Sequence, residues 1–438
     1  MRVMKWSMIA LAVAAGTSQF AVASSQEEAK GFVEDSTVNL KTRAMYMNRD
    51  FKHGTGNRVN PDKASGYENG YNEDSGASLL GVFESGFTQG TVGVGADVIA
   101  MGSVRFDGGS GRTSSSAGNG LFRNDSDGHP EDSQGKAGAA VKFRISDTVL
   151  KYGDQFVASP VFATDDSRLL PELARGTLIT SKEIKGLELT AGRFTSLSSQ
   201  TGMGHDSING RNTKGLTAAN IAGATYAFTD TFTGTIAASD VEEYFKKQYV
   251  NLNLTVPLSD QQALNFDFNA YRSKDQGEAR YGELDNKLWS FAGAYSLGAH
   301  KFTLAYQRSS GDTGYNYGVD GNGTIFVANS IQISDFLGKE EKSIQARYDL
   351  NMASYGVPGL TFMTRYIKGD NIETSSNTEG KEHEWNFETK YVLQEGPAKD
   401  LSLRVRYAVY RANDAYEADY APDNNDLRLI VEYPLSIL

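Results

Sequence analysis

Cysteine is absent from all 438 residues, and proline is scarce at nine. The first absence excludes a disulfide framework, a thiolate-held zinc or iron–sulfur site and a cysteine nucleophile. An excess of positive charge is also lacking: 43 Lys and Arg stand against 54 Asp and Glu, a formal net charge of −11. A nucleic-acid coat needs a basic surface to neutralise phosphates, so that partner is excluded. Long apolar runs are missing too, because nothing after Ser24 approaches the roughly 18 consecutive apolar residues of a spanning helix. With a mean hydropathy of −0.43, a polytopic helical membrane protein is excluded. A membrane β-barrel is not, since its strands are only half apolar.

Order-promoting side chains are plentiful, with 22 tyrosines and 22 phenylalanines, which excludes a disordered protein. The N-terminus reads as a targeting segment over residues 1–23. Arg2 and Lys5 form a positive start, Trp6 to Ala15 an apolar stretch, and Ala21-Val22-Ala23 a small-x-small cleavage site before Ser24. The apolar part is about ten residues long, too short to cross a bilayer, which takes about 20. The chain is expected to be exported, leaving one domain over residues 24–438.

From about Val38 onward, apolar residues fall on every second position in segments separated by Gly, Asn, Asp and Ser. Leu403, Val405, Tyr407 and Val409 oppose Ser402, Arg404, Arg406 and Ala408. Leu427, Leu429 and Val431 oppose Arg428, Ile430 and Glu432, and Ile344, Ala346 and Tyr348 oppose Gln345, Arg347 and Asp349. Leu264, Phe266 and Phe268 oppose Asn265, Asp267 and Asn269. Period-two alternation sends successive side chains to opposite faces of a sheet. A soluble sandwich buries the apolar face, whereas a membrane barrel turns it to lipid and the polar face to a wet lumen. Three features favour the barrel. Aromatics stand near strand ends (Tyr46, Tyr226, Tyr306, Tyr366, Tyr407, Tyr433). Short turns such as Leu258–Gln261 and Ser296–Ala299 alternate with long polar stretches at Phe106–Gly138, Ser310–Gly323 and Gly369–Lys381. An export signal without cysteine suits a bacterial envelope. A closed barrel has no interior linker at which to divide into domains.

Arg404, Arg406 and Arg428 lie on polar faces of the last two segments, with Arg365, Arg347 and Arg43 on other polar faces. Arg43 belongs to the first strand, which neighbours the last when a barrel closes. Arginines on a wetted face are also commonly solvated or paired with acids. A cluster on adjacent strands of an acidic chain instead offers successive weak sites for anions, because guanidinium stays charged and grips carboxylates through two parallel hydrogen bonds.

Alternation fails over Pro160–Glu172, PVFATDDSRLLPE, which follows LKYGDQ at Leu150–Gln155. A Pro-bounded interruption of this kind suggests a loop folded into the lumen. At these residues the sequence resembles the OprD family of substrate-specific outer-membrane porins. Gly192-Arg193-Phe194, NRDF at Asn48–Phe51 and RLIVEYP at Arg428–Pro434 add to the likeness, which runs over the whole mature chain. The resemblance implies an all-β, 18-stranded antiparallel transmembrane barrel with an inward constriction loop, in outer-membrane lipid and lipopolysaccharide. It also implies a basic ladder taking up small carboxylate-bearing nutrients. By motif position the ladder maps onto Arg43, Arg347, Arg365, Arg404, Arg406 and Arg428, with Lys301 as a looser position. The loop residues are Asp165, Asp166, Ser167 and Arg168. Asp165 and Asp166 either face the ladder across a constriction or shape the loop through turn chemistry; Arg168 either lines the opening or ties the loop to the wall. Aromatic or cyclic monocarboxylates are the expected cargo, with basic amino acids or peptides, or nonspecific diffusion, as alternatives. The family permits monomers and loose trimers. The chain ends in YPLSIL, where many outer-membrane barrels end in Phe.

Catalytic patterns are wanting. The five histidines are scattered, and no G-x-S-x-G, H-E-x-x-H or phosphate-loop motif occurs. His205-Asp206-Ser207 are consecutive, and an extended segment cannot stack consecutive residues into a relay. Asp125–Gly128 is a fragment of a calcium-loop pattern without its later ligands. No enzyme activity and no cofactor are expected.

Overall fold

A computed structural model describes residues 26–53, 58–59, 68–106, 119–124, 129–205 and 215–437. Residues 1–23, expected to be a targeting segment, the Asp125–Gly128 fragment and Asp206-Ser207 lie outside the described residues. Eighteen long strands form one sheet. In chain order they are β1 (Thr37–Phe51), β2 (Tyr71–Glu84), β3 (Gly93–Arg105), β4 (Ser133–Ile145), β5 (Thr148–Gln155) and β6 (Leu173–Ser181). Next come β7 (Leu187–Ser198), β8 (Ala219–Thr229), β9 (Phe232–Val241), β10 (Phe245–Ser259), β11 (Gln262–Asp275) and β12 (Asp285–Leu297). The last six are β13 (His300–Ser310), β14 (Lys342–Asn351), β15 (Leu360–Glu373), β16 (Glu379–Val392), β17 (Ser402–Ala412) and β18 (Asn424–Ser436). Each pairs antiparallel with its sequence neighbours, and β1 pairs with β18 from Asn39↔Ser436 to Phe51↔Asn424. The sheet is thus a closed barrel without an edge.

The alternation in the sequence becomes the two faces of the wall. Phe302, Leu304, Ile344, Tyr366, Trp385 and Leu429 are exposed on the outside, and Asn265, Asp267, Asn269, Gln307 and Arg428 are buried within. Unpaired backbone amides are costly in lipid, and closure satisfies all of them between strands. At the end that holds Thr37 and Ser436, two-residue turns join β8 to β9, β10 to β11 and β12 to β13. The connections at the opposite end are mostly longer. Two of the sequence-based loops are shorter than expected: β4 begins at Ser133, ahead of Gly138, and β15 and β16 extend to Glu373 and from Glu379, so 374–378 is a turn. Cross-strand pairing carried the hairpin beyond the point where apolar alternation ends.

Inside, the barrel is not a uniform tube. Strand β5 has only eight residues because the chain leaves the wall at Gln155 and crosses the lumen. Gly153, within LKYGDQ, sits at this departure with φ of +133°, and a Cβ there would meet Ala139 O at 2.3 Å and Ala140 Cα at 2.6 Å. Only glycine fits both the conformation and the approach of the neighbouring strand. Gly153→Ala is expected to destabilise the β4–β5–β6 region by about 1–3 kcal/mol, the usual range for enforced backbone strain. The measurement is the fraction of refolded protein with heat-modifiable gel mobility; a fraction equal to wild type would contradict this role.

Candidate functional site

Segment 156–172 holds a small hairpin, Ala158–Ser159 with Phe162–Ala163. Its apolar residues settle on one side of the lumen. Phe162 stacks on Phe194 of β7 with ring centroids 4.5 Å apart, and Leu170 and Leu173 pack on Leu80, Val82, Ile99 and Met101 of β2 and β3. Next to them, Leu169 joins Met45, Met47 and Ile430, inward residues of the adjoining strands β1 and β18. The inward face is therefore apolar where the segment covers it. Tyr271 of β11 donates a 3.0 Å hydrogen bond to Pro160 O, while Ser78 of β2 donates one of 2.8 Å to Leu169 O. The segment thus bridges distant parts of the wall.

The four motif residues separate by role. Asp166 accepts from Arg43 Nη1 at 2.9 Å and pairs with Lys41. It touches a ladder arginine directly and does not face it across an opening. Asp165 accepts from Ser167 N at 2.9 Å and Ser167 Oγ at 2.7 Å, an Asx turn, and from Gln200 Nε2 at 3.0 Å. Arg168 makes no ion pair among the described residues; its Nε donates to Asn119 O at 3.0 Å. Burial, with Arg428 and Arg49 adding repulsion, holds the Arg168 guanidinium below its usual range, at about 10. The loop arginine therefore adjoins the ladder. Glu172 closes the motif, accepting from Asn322 N at 3.0 Å and Asn322 Nδ2 at 2.6 Å. Burial and the adjacent Asp165 push its carboxyl up to about 8.

The six ladder arginines occupy one sector, β14 to β18 and β1. In the register Arg347 stands opposite Arg365, Arg406 opposite both Glu388 and Arg428, and Arg43 opposite Glu432. Cross-strand partners share a face, so these residues form a continuous inner band. Their compensation is unequal. Arg43 has two carboxylates, Asp166 at 2.9 Å and Glu432 at 2.6 Å. Arg347 has Asp349 at 2.6 Å. Arg404 and Arg406 share Glu388, at 2.8 and 3.3 Å, and Arg428 and Arg49 share Asp426, at 2.7 and 2.9 Å. Arg365 has no ion pair among the described residues and donates through Nε to Asn386 Oδ1 at 2.7 Å. Net positive charge therefore concentrates around Arg365, Arg404 and Arg406. Lys301 faces Asp349 in the register, whose carboxylate Arg347 already holds.

Sequence reading missed Lys41 and Arg49, although both share the parity of Arg43 on β1. It also missed a second inward segment, 311–341, taking Ser310–Gly323 for an outward polar loop. Its signal was available: 325–337 carries Ile325, Phe326, Val327, Ile331, Ile333, Phe336 and Leu337, more apolar surface than a solvated loop carries, and stretches longer than about 12–15 residues need a reason. The segment is fixed at Asp320, which meets Lys247 of β10 at 2.6 Å with both side chains fully buried. The lysine also lies 4.6 Å from the ring centres of Phe245 and Tyr315. Farther along, Gln332 Nε2 donates to Asp426 Oδ1 at 2.9 Å, and its carbonyl accepts from Arg428 Nη2 at 3.0 Å. Two inward segments, joined at Glu172–Asn322, thus narrow the lumen against the arginine sector. His205, in the one triad-like triplet, lies by Arg175 and Asp154, and no group of three or more metal-ligating side chains gathers among the described residues.

A closed barrel with an apolar exterior, a charge-lined lumen and inward segments at its waist is an outer-membrane pore. A family model, "outer membrane porin, OprD family", matches residues 30–437. Porin D of Pseudomonas aeruginosa is 47% identical over 468 aligned residues, covering 100% of both chains. The crystal structure of Acinetobacter baumannii OccAB1 superposes with a TM-score of 0.86 at 33% identity, over 94% of this chain and 99% of that one. That of Pseudomonas aeruginosa OpdK with vanillate gives 0.81 at 31% identity, over 93% of this chain and 100% of that one. The chain belongs to the OprD family of outer-membrane porins, which are channels and not enzymes.

Proposed function

We propose that this porin takes up small carboxylate-bearing nutrients passively, and that the under-compensated arginines Arg365, Arg404 and Arg406 are the station at which the carboxylate is held. The observation that carries the reading is the local charge imbalance: Arg404 and Arg406 share one carboxylate, Glu388, and Arg365 has no ion pair among the described residues. A solute carboxylate arriving there completes a charge-assisted pairing that the protein leaves incomplete. Arg428 and Arg49 above and Arg347 beside it continue the path, and their own acids keep each site shallow enough to release the solute, as conduction requires. The inward segments set size and orientation.

Aromatic or cyclic monocarboxylates are the favoured cargo, a reading supported by the vanillate in the OpdK structure. Basic amino acids or peptides are the second reading, favoured by the half-buried Asp165 carboxylate beside Arg168, which offers a partner to an ammonium group. The test is single-channel recording in planar bilayers with titration by benzoate and by arginine. Current blocked in a saturable way by one of them identifies the branch. Current indifferent to both overturns the proposal in favour of nonspecific diffusion.

A further inference from the structure

The end of segment 311–341 is clasped to the wall by carboxyl groups. Glu384 of β16 accepts from Ser334 N at 2.8 Å and Glu382 Oε1 from Ser334 Oγ at 2.9 Å, while Glu341, at the segment's own end, accepts from Gly338 N at 2.7 Å through Oε2. Glu341 and Glu382 are fully enclosed, and they are neighbours: Glu341 Oε1 packs on Gly369, the cross-strand partner of Glu382. Glu341 Oε1 and Glu382 Oε2 have no hydrogen-bond partner among the described residues, and the one hydroxyl beside them, that of Tyr410, can serve only one of the two. Two ionised carboxylates cannot satisfy this arrangement, since each only accepts; one protonated carboxyl can, by donating to the other. A cation is a poor substitute, because Glu341 Oε1 is packed on Gly369, where even a Cβ would come within 2.1 Å of it.

We propose that Glu341 and Glu382 hold a single proton between them, and that this proton latches the second inward segment down over the top of the arginine band. The groups around the pair reinforce it. Glu384 on β16 and Asp370 on β15 are acidic. Tyr410 on β17 lies within hydrogen-bonding reach of Glu382, and Tyr416, in the connection before β18, brings its hydroxyl to Gly338. Asp335 on the segment itself is held by Ser330 and Tyr317. Arg365 acts on Glu384, and neither Glu341 nor Glu382 has an ion pair among the described residues. Burial and then the Glu382 charge raise the Glu341 carboxyl well above the ordinary range. A carboxyl raised on seating favours the seated state at low pH, and that advantage is lost as pH climbs through the raised value.

When the proton leaves for lumen water, two enclosed neighbouring carboxylates repel each other. The 330–341 end lifts while the buried Lys247–Asp320 pair holds the other end. Gln332 then releases Asp426 and uncovers Arg428, which is only 3% exposed in the seated state. The latch needs only the channel class and not any particular cargo.

The test is single-channel recording at fixed ionic strength from pH 5 to pH 9. Wild type is expected to pass from a quiet low-conductance level to a higher or fluctuating one, the latched fraction falling about tenfold per pH unit beyond the midpoint, as for one proton. Glu341→Gln, whose carboxamide donates to Glu382 at every pH, is expected to stay at the low-pH level throughout. Should that variant fail to fold, Glu382→Gln supplies the same donor from the other side. A wild-type record flat across the range, or a variant that titrates like wild type, overturns the proposal.

Discussion

Removing Arg365, Arg404 and Arg406 together as alanines, with Glu388→Gln so that no carboxylate is stranded, is expected to abolish anion preference while the barrel still assembles. The four changes remove three positive charges and one negative from a single patch of lumen wall. Hydrogen bonds to charged groups contribute about 1.5–3 kcal/mol each, and about 1.4 kcal/mol is a factor of ten in affinity. Losing even one such contact to a bound carboxylate therefore lowers its affinity roughly tenfold. Reversal potential under a salt gradient should move toward the cation side, and block by the preferred carboxylate should need at least about tenfold more solute. These side chains face a wet lumen, so heat-modifiable mobility should be unchanged. Unaltered reversal potential and block in a folded variant would end the ladder proposal.

Asp320→Ala is expected to free the second inward segment. Breaking a buried pair by deleting one partner costs about 3–5 kcal/mol, because the remaining charge is stranded. Here the stranded group is Lys247, fully enclosed between Phe245 and Tyr315. The segment keeps its apolar contacts through Tyr315, Val319 and Val327 and its clasp at Ser334, so the stretch around residue 320 alone should leave the wall and let water reach the lysine. Single-channel conductance should rise severalfold, and the narrowed waist should admit larger polymers in exclusion measurements. The converse change, Lys247→Met with Asp320→Leu, replaces the pair by apolar groups that the same rings can pack, and should restore near-native conductance. If Asp320→Ala conducts like wild type, the pair does not hold the segment.

Much of this was legible from sequence because a barrel wall is written locally. Each strand states its own inside and outside, and parity alone placed Arg404, Arg406 and Arg428 in the lumen. What parity leaves open is register. Glu388 neighbours Arg404 and Arg406 only because β16 and β17 pair as they do, and Glu432 reaches Arg43 only across the meeting of first and last strands. Those pairings, which decide which arginines remain under-compensated, are nonlocal. The inward course of 156–172 was readable from broken alternation, yet Asp166 could not be assigned to Arg43 before the loop's landing place was known. Segment 311–341 escaped because its polar start resembles an ordinary loop, and its apolar remainder finds partners far away in sequence. Glu341 and Glu382, 41 residues apart, carry no local mark of being neighbours.

The contact between Arg43 on β1 and Glu432 on β18 also bears on the order of assembly. Those strands are the two ends of the sheet, and in an unclosed intermediate they do not face each other. Arg43 is at once a member of the proposed ladder and the clamp on the Asp166 end of the first inward segment. The filter is therefore completed by the same event that shuts the wall. A half-built sheet has no seated constriction segment and no continuous cationic track, so selectivity and a sealed cylinder arrive together.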